Sequence, residues 1–187
     1  MARSQSPARR YTYSDLAAFP DDHLRREIID GELIVTASPI VRHQISSGWI
    51  HHRLMTHAQT VGGIALAAPM DVFFADDNVV EPDLIFVRAD QTDDIGDRYV
   101  RVVPDLLVEI SSPSTRRLEL VRKRELYQRF GVPEYWFIDL EADRVEIYVL
   151  EDDTYSSPRL VYAADRLVST RLEGFSMDVE EALGLRR

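Results

Sequence analysis

The run Pro104-Asp-Leu-Leu-Val-Glu-Ile-Ser-Ser112 reads as a strand that can be satisfied only inside a layered fold. Side chains alternate along a strand, so Leu106, Val108 and Ile110 share one face and Asp105, Leu107, Glu109 and Ser111 the other. Both faces are apolar near the middle, which predicts an internal strand covered on both sides. Glu109 stands where an apolar residue is expected. Burying a lone carboxylate is costly, so Glu109 requires a cation: an arginine, a lysine or a metal ion. The segment that follows, "SPSTRRLELVRKRELYQRFG", predicts a helix capped by Ser114 or Thr115 and closed by Gly131. The turn between them is very short, so the helix folds back over the sheet. Leu120, Lys123 (or Arg124) and Tyr127 lie along one stripe of it. With Leu120 and Tyr127 facing the core, Lys123 turns inward, towards the end of the Glu109 strand.

Lys123 is the only lysine in the chain, against 21 arginines. Arginine is a wide planar fork that stays protonated, whereas lysine is a compact point charge whose pKa can be moved. On a solvated helix face the single lysine is chance; beside buried carboxylates a compact donor fits where a fork does not. "EPDLIFV" adds Asp83 at the opening of a second apolar strand. Two carboxylates on two core strands, if those strands are adjacent, form a hard-oxygen site suited to Mg²⁺ or Mn²⁺. The competing reading pairs each acid with one of the many arginines.

The remaining pattern is that of an α/β chain. "YSDLAAFP" offers Ser14 as the N-cap of a short helix stopped near Pro20. Asp30-Gly31 between two apolar runs predicts a hairpin. Ile45, Trp49, Ile50, Leu54 and Ala58 fall at helical spacing, and Gly62-Gly63 ends that helix. "DVFFADDNVVEPDLIFVRA" reads as two strands around the Asp76-Asp77-Asn78 turn, and the polar stretch 89–101 as a loop. "EYWFIDLEADRVEIYVL" is a second hairpin, followed by a further strand or two and a short helix near 178–183. Residues 1–10 read as a flexible tail and 11–187 as a single domain. Strands alternating with helices, then antiparallel hairpins, predict a mixed β-sheet flanked by helices.

The chain has no cysteine, which excludes disulfides, thiolate metal sites and a cysteine nucleophile. The basic N-terminus lacks an apolar stretch behind it, and no run spans a membrane, so the expectation is a cytoplasmic protein. A net charge of −10 argues against a broad nucleic-acid-coating surface, but not against a local groove or a carboxylate site completed by a metal.

Together "EIIDGEL", "EPDLIFV", "PDLLVEISSPSTRR" and "GVPEYWFIDL" resemble the Uma-two family of bacterial endonucleases, within the PD-(D/E)XK, restriction-endonuclease-like superfamily. The resemblance covers roughly residues 12 to 150 and keeps the family's motif order. It implies a restriction-endonuclease-like fold and metal-dependent phosphodiester hydrolysis. Asp83 matches the metal-binding Asp of the PD element and Glu109 the acid of the (D/E)XK element. Ser111 stands where the superfamily usually has lysine; in this family the lysine is displaced to the following helix, at Lys123. Glu27 matches a further acid near such sites. Glu119 stands where the family commonly has Asp, and His43 matches a family histidine that also fits a structural role. The resemblance thus implies Asp83 and Glu109 as metal ligands, with the Ile110 carbonyl as an extra one, Lys123 and Glu27 as further catalytic groups, Mg²⁺ (or Mn²⁺) as cofactor, DNA more than RNA as partner, and a homodimer for double-strand cleavage. The other class of reading is an inactive nuclease-fold module that binds nucleic acid or protein, with Glu109–Lys123 as a buried ion pair. A glycosidase-like carboxylate pair lacks a sugar-stacking arrangement. His51, His52 and His57 have poor spacing for joint ligation, Tyr135 and Trp136 read as strand core, and Asp105 caps the start of its strand.

Overall fold

In the computed structural model, residues 9–20, 22, 24–36, 38–112 and 116–186 are described. The chain forms, in order, α1 (Tyr13–Leu16), β1 (Arg25–Ile29), β2 (Glu32–Thr36), α2 (Val41–Val61), β3 (Ile64–Ala67), β4 (Asp71–Ala75), β5 (Asn78–Val80), β6 (Leu84–Val87), β7 (Tyr99–Val100) and β8 (Leu106–Ile110). A π-helical turn, Leu118–Lys123, then runs into α3 (Arg124–Arg129). The long hairpin β9 (Glu134–Asp139) and β10 (Arg144–Glu151) follows. Four short strands, β11 (Thr154–Tyr155), β12 (Arg159–Tyr162), β13 (Arg166–Val168) and β14 (Ser176–Asp178), and α4 (Val179–Ala182) complete it.

The two-faced run becomes β8, an interior strand of the larger sheet. That sheet runs β3-β6-β8-β9-β10, with β11 and β12 both on the far side of β10. In this sheet β8 and β9 pair parallel, whereas β3–β6, β6–β8 and β9–β10 pair antiparallel; the π-turn with α3 lies in the crossover between β8 and β9. A smaller sheet has the order β2-β1-β5-β4-β7, and β13-β14 form a ribbon. Alternation along β8 sorts its residues as expected. Leu106, Val108 and Ile110 pack with Ile50, Leu54 and Ala58 of α2 and with Val179 and Ala182 of α4. Leu107 packs on the other face with Ile29, Val72 and Val80 of the smaller sheet and Leu126 and Tyr127 of α3. The mixed sheet therefore lies between α2 on one side and the smaller sheet with α3 on the other.

Several expectations need correction. The segment read as two strands around Asp76-Asp77 forms three. Val79 of β5 pairs with Ile28 in the smaller sheet, whereas Leu84–Phe86 of β6 pair with β8 in the larger one. Pro82 has no N–H for a ladder, and at Glu81–Asp83 the chain leaves one sheet for the other. The stretch 89–101 contains a 3-10 turn, Ala89–Asp94, and β7. The N-cap of α1 is Thr12, whose N–H donates to Asp15 Oδ2 at 2.9 Å, not Ser14. The end of the chain has four short strands rather than one or two. Ser114 and Thr115 lie outside the described residues, as does the expected tail except Arg9 and Arg10; Arg10 pairs with Asp77 at 2.7 Å. Among the described residues no helix is long and apolar enough to cross a membrane.

Two glycines separate backbone strain from crowding. Gly131, which closes α3, has φ +77° with nothing within 4 Å of an added Cβ. Gly184 has φ +63°, and its Cβ would stand 2.8 Å from the Arg42 carbonyl at the start of α2. Gly131→Ala should cost about 1 kcal/mol from the left-handed backbone alone. Gly184→Ala should cost at least ~2 kcal/mol, because α2 and the α4 turn must also move apart. Urea titrations with unchanged m-values measure both; equal losses would refute the packing of α2 on this turn.

Candidate active site

The sheet switch, the smaller sheet and the crossover helix meet over the Glu109 face of β8. On β1, Arg25, Glu27 and Ile29 share a face, and Ile29 belongs to the core beneath the larger sheet, so Arg25 and Glu27 face the same way. Glu81 and Asp83 flank Pro82 where the chain passes between the sheets. The π-turn, in which the Arg124 N–H reaches the Glu119 carbonyl, carries Glu119 and Lys123 inward, and Tyr127 follows on α3. Single π-turns are rare and recur at functional sites.

These groups make one network. The Lys123 ammonium is 1% exposed and sits 2.7 Å from Glu27 Oε1 and 2.9 Å from Glu109 Oε1. Tyr127 donates its hydroxyl to the same Glu109 oxygen at 2.5 Å. Asp83 Oδ2 accepts the Ile110 N–H at 2.7 Å and lies 3.2 Å from His43 Nε2. Asp83 Oδ1 accepts from Arg25 Nη1 at 2.9 Å. Arg25 also faces Glu81 at 3.3 Å, Glu109 Oε2 at 3.7 Å and Glu27 at 3.9 Å. The Glu81 N–H donates to Glu27 Oε1 at 2.8 Å. Glu27 Oε2 and Glu109 Oε2 are buried without a hydrogen-bond partner. Above lies a cavity of about 210 Å³ lined by Arg25, Glu27, His43, Glu81, Asp83 and Lys123 among others.

Charge in this cluster is strongly biased. Burial opposes the Lys123 charge, but Glu109 and Glu27 hold its pKa above the ordinary lysine value. Burial raises Glu109, helped by Asp83 and Glu27 and opposed by Lys123 and Arg25. Burial would also raise Asp83, yet the His43 hydrogen bond, the Arg25 charge and the Ile110 N–H hold it at about 2. Glu81 has fewer partners, and burial beside Glu27 and Asp71 pushes it to about 7 against the pull of Arg25 and Lys123.

The structure thus brings Glu27, Asp83, Glu109 and Lys123 into one cluster. Ile110 reaches it through its N–H, donated to Asp83. His43 touches Asp83, and Glu119 is buried on the cavity wall. Ser111 does not join: its hydroxyl accepts the Leu140 N–H at 2.9 Å and ties the end of β8 to that of β9. His57 packs on Phe86 and Phe175, Tyr135 and Trp136 are fully buried, and Asp105 accepts the Arg88 N–H at 3.0 Å. Sequence reasoning missed Arg25, Glu81 and the Tyr127 hydroxyl. Arg25 was within reach, since it lies two residues before Glu27 and so on the same strand face.

The donor set fits a hard divalent cation in part. Mg²⁺ is commonly bound by one or two carboxylates, with water and substrate oxygens completing its shell. Asp83 and Glu109 supply two carboxylates, and Glu109 Oε2 is a buried oxygen that accepts no hydrogen bond. Among the described residues no three acidic or imidazole groups form a ready cage, and Arg25 stands between the two acids.

The Glu81 shift carries a pH signature. Its carboxyl rises from 4.5 to about 7 on folding, so between those values the native state binds more protons than the unfolded one. Its penalty is absent below about pH 4.5 and complete above about pH 7. In EDTA, Glu81→Gln should therefore match wild type at pH 4.5 and exceed it at pH 8 by on the order of 2 kcal/mol. A variant less stable than wild type at pH 8 would contradict this burial.

The comparisons agree with this architecture. A family model described as "Uma2: Putative restriction endonuclease" matches residues 12–180. Among solved structures, the chain is similar to a "putative nuclease belonging to DUF820" from Anabaena variabilis ATCC 29413. The TM-score is 0.76 at 14% identity, over 92% of this chain and 97% of that one. At such identity the likeness is one of fold. No curated protein matches the chain. With the family match spanning nearly all of it, the chain belongs to the Uma2, or Uma-two, family.

Proposed function

We propose that this protein is a metal-dependent endonuclease that hydrolyses phosphodiester bonds, with DNA as its substrate. The observation that carries the reading is the pair of buried carboxylate oxygens that accept no hydrogen bond, Glu27 Oε2 and Glu109 Oε2, beside Asp83 and a buried ammonium. Side chains that serve only to hold a core together rarely leave two buried anionic oxygens without a hydrogen bond. A nucleic-acid substrate accords with the family description.

Asp83 and Glu109 would hold Mg²⁺ or Mn²⁺, with the Ile110 carbonyl as an accessory oxygen. When bound, such an ion makes water a better nucleophile at neutral pH and offsets charge on the phosphate. The cavity, at about 210 Å³, holds a phosphodiester group and several waters at roughly 30 Å³ each. Tyr127 and Lys123 both bind Glu109 Oε1, which fixes that carboxylate and leaves Oε2 for the ion. Lys123 supplies a compact positive charge for the developing phosphorane. Glu27 orients Lys123 from the opposite side and accepts hydrogen bonds from water. A homodimer would set two such sites on the two strands of a duplex.

The second reading is an inactive module on the same fold. Arg25, which already neutralises the acids, favours it. A nuclease assay on duplex DNA across Mg²⁺, Mn²⁺ and Ca²⁺ separates the two. Wild type should cleave with Mg²⁺ or Mn²⁺, and Asp83→Ala and Glu109→Gln should not. Mn²⁺ should raise the wild-type melting temperature but not that of Glu109→Gln. Lys123→Arg should keep the fold and lose about 10²-fold in cleavage, because a fork cannot sit between two carboxylates at the spacing an ammonium does. If wild type is silent with every metal, or Asp83→Ala cleaves equally, the endonuclease reading falls.

A further inference from the structure

Among the described residues Arg25 is the cation with the most carboxylates around it. Its guanidinium faces four carboxylates, Glu27, Glu81, Asp83 and Glu109, at 2.9–3.9 Å. Its hydrogen bonding is nevertheless poor. Nε and Nη2 are buried and find no hydrogen-bond partner, and only Nη1 makes a good bond, to Asp83 Oδ1. A structural arginine usually meets carboxylates through its paired donors. Arg53 does so here, donating Nε and Nη2 to Glu181 at 2.8–3.0 Å. Arg25 is drawn in by charge and held without matching geometry. Its side chain retains 21% exposure, whereas Lys123, paired to Glu27 and Glu109, is sealed at 1%. One cation is locked and the other has a way out.

We infer that Arg25 is a positioning residue that occupies the place of the divalent cation between Asp83 and Glu109 and competes with it, moving towards a substrate phosphate when nucleic acid enters the cavity. The inference rests on the endonuclease reading above. Three features support it. The acids contacted by Nη1 and Nη2, Asp83 and Glu109, are the two proposed metal ligands. Arg25 lines the cavity wall, and its side chain is the more exposed of the two cations, at 21% against 1% for Lys123. A phosphodiester offers the fork two oxygens in one plane, the bidentate partner that it lacks among these carboxylates. Metal and nucleic acid would then bind with positive coupling, each removing Arg25 from the other's way.

The test is Mn²⁺ affinity, followed by the paramagnetic resonance of the free ion in the absence of any cleavage assay. Arg25→Gln removes the competing charge and should bind Mn²⁺ at least tenfold more tightly than wild type. A purely structural arginine predicts the opposite sign, since its loss loosens the site. In wild type, a phosphorothioate duplex should tighten Mn²⁺ at least fivefold, and in Arg25→Gln it should not. Arg25→Lys keeps the charge but reaches fewer of the acids, so it should fall between the two. The wild-type duplex measurement stands even if neither variant folds. Unchanged or weaker Mn²⁺ binding in a folded Arg25→Gln overturns the inference and leaves the endonuclease reading intact, as does a wild type indifferent to the duplex. Absence of Mn²⁺ binding in wild type, with and without duplex, overturns both.

Discussion

The ammonium of Lys123 joins three parts of the structure at one buried point. Glu27 belongs to the smaller sheet, Glu109 to the larger one and Lys123 to the crossover helix. One buried charge, with an oxygen from each sheet below 3 Å, fixes all three. Breaking such a pair by removing one partner is costly, because the other charge stays buried alone. The arrangement also sets the position of β1, and through it Arg25, over the central strand. The lone lysine is thus where a small, multidirectional donor is required, between two carboxylates that approach from different sides.

The cluster as a whole is a poor way to stabilise a protein. Glu27, Glu81, Asp83 and Glu109 face two permanent cations, and Glu81 is driven towards neutrality by its burial, with Glu27 and Asp71 adding to it. A core of well-packed apolar residues would do better. The apolar layers on either side, Leu107 and Tyr135 below and the smaller sheet above, hold the acids in place despite this cost. Excess negative charge held fixed by packing is what a site for an added cation requires, and natural sites commonly trade stability for it.

How much of this was legible depends on the range of the information. The two faces of β8, the Asp30-Gly31 hairpin, the α2 stripe and the β9–β10 hairpin follow from local periodicity and turn chemistry, and the structure has them. The inward turn of Lys123 was also local, read from Leu120 and Tyr127 on either side of it. The change of sheet at Glu81–Asp83 was not. Nothing within "NVVEPDLIF" says that Val79 and Leu84 pair with different sheets; that is decided by which distant strands arrive beside them. Arg25 and Glu81 were missed for the same reason, since their meaning comes from partners tens of residues away. The short strands after β10 escaped because two- to four-residue pairings leave almost no periodicity to read.

The four segments of the cluster have a consequence for the chain while it is being made. Arg25 must find Asp83 across 58 residues, Asp83 must find Ile110 across 27, and Glu109 must find Lys123 across 14. Beyond Lys123, β8 still lacks its parallel neighbour until β9 has been synthesised. Chains leave the ribosome at about 5–20 residues per second, so the acids are exposed for seconds before the helix that neutralises them exists. In that interval they are separate, hydrated carboxylates on an unclosed sheet, repelling one another. A fragment ending before β9 carries every residue that lines the cleft but lacks the parallel neighbour of β8, so the site becomes rigid as the sheet closes.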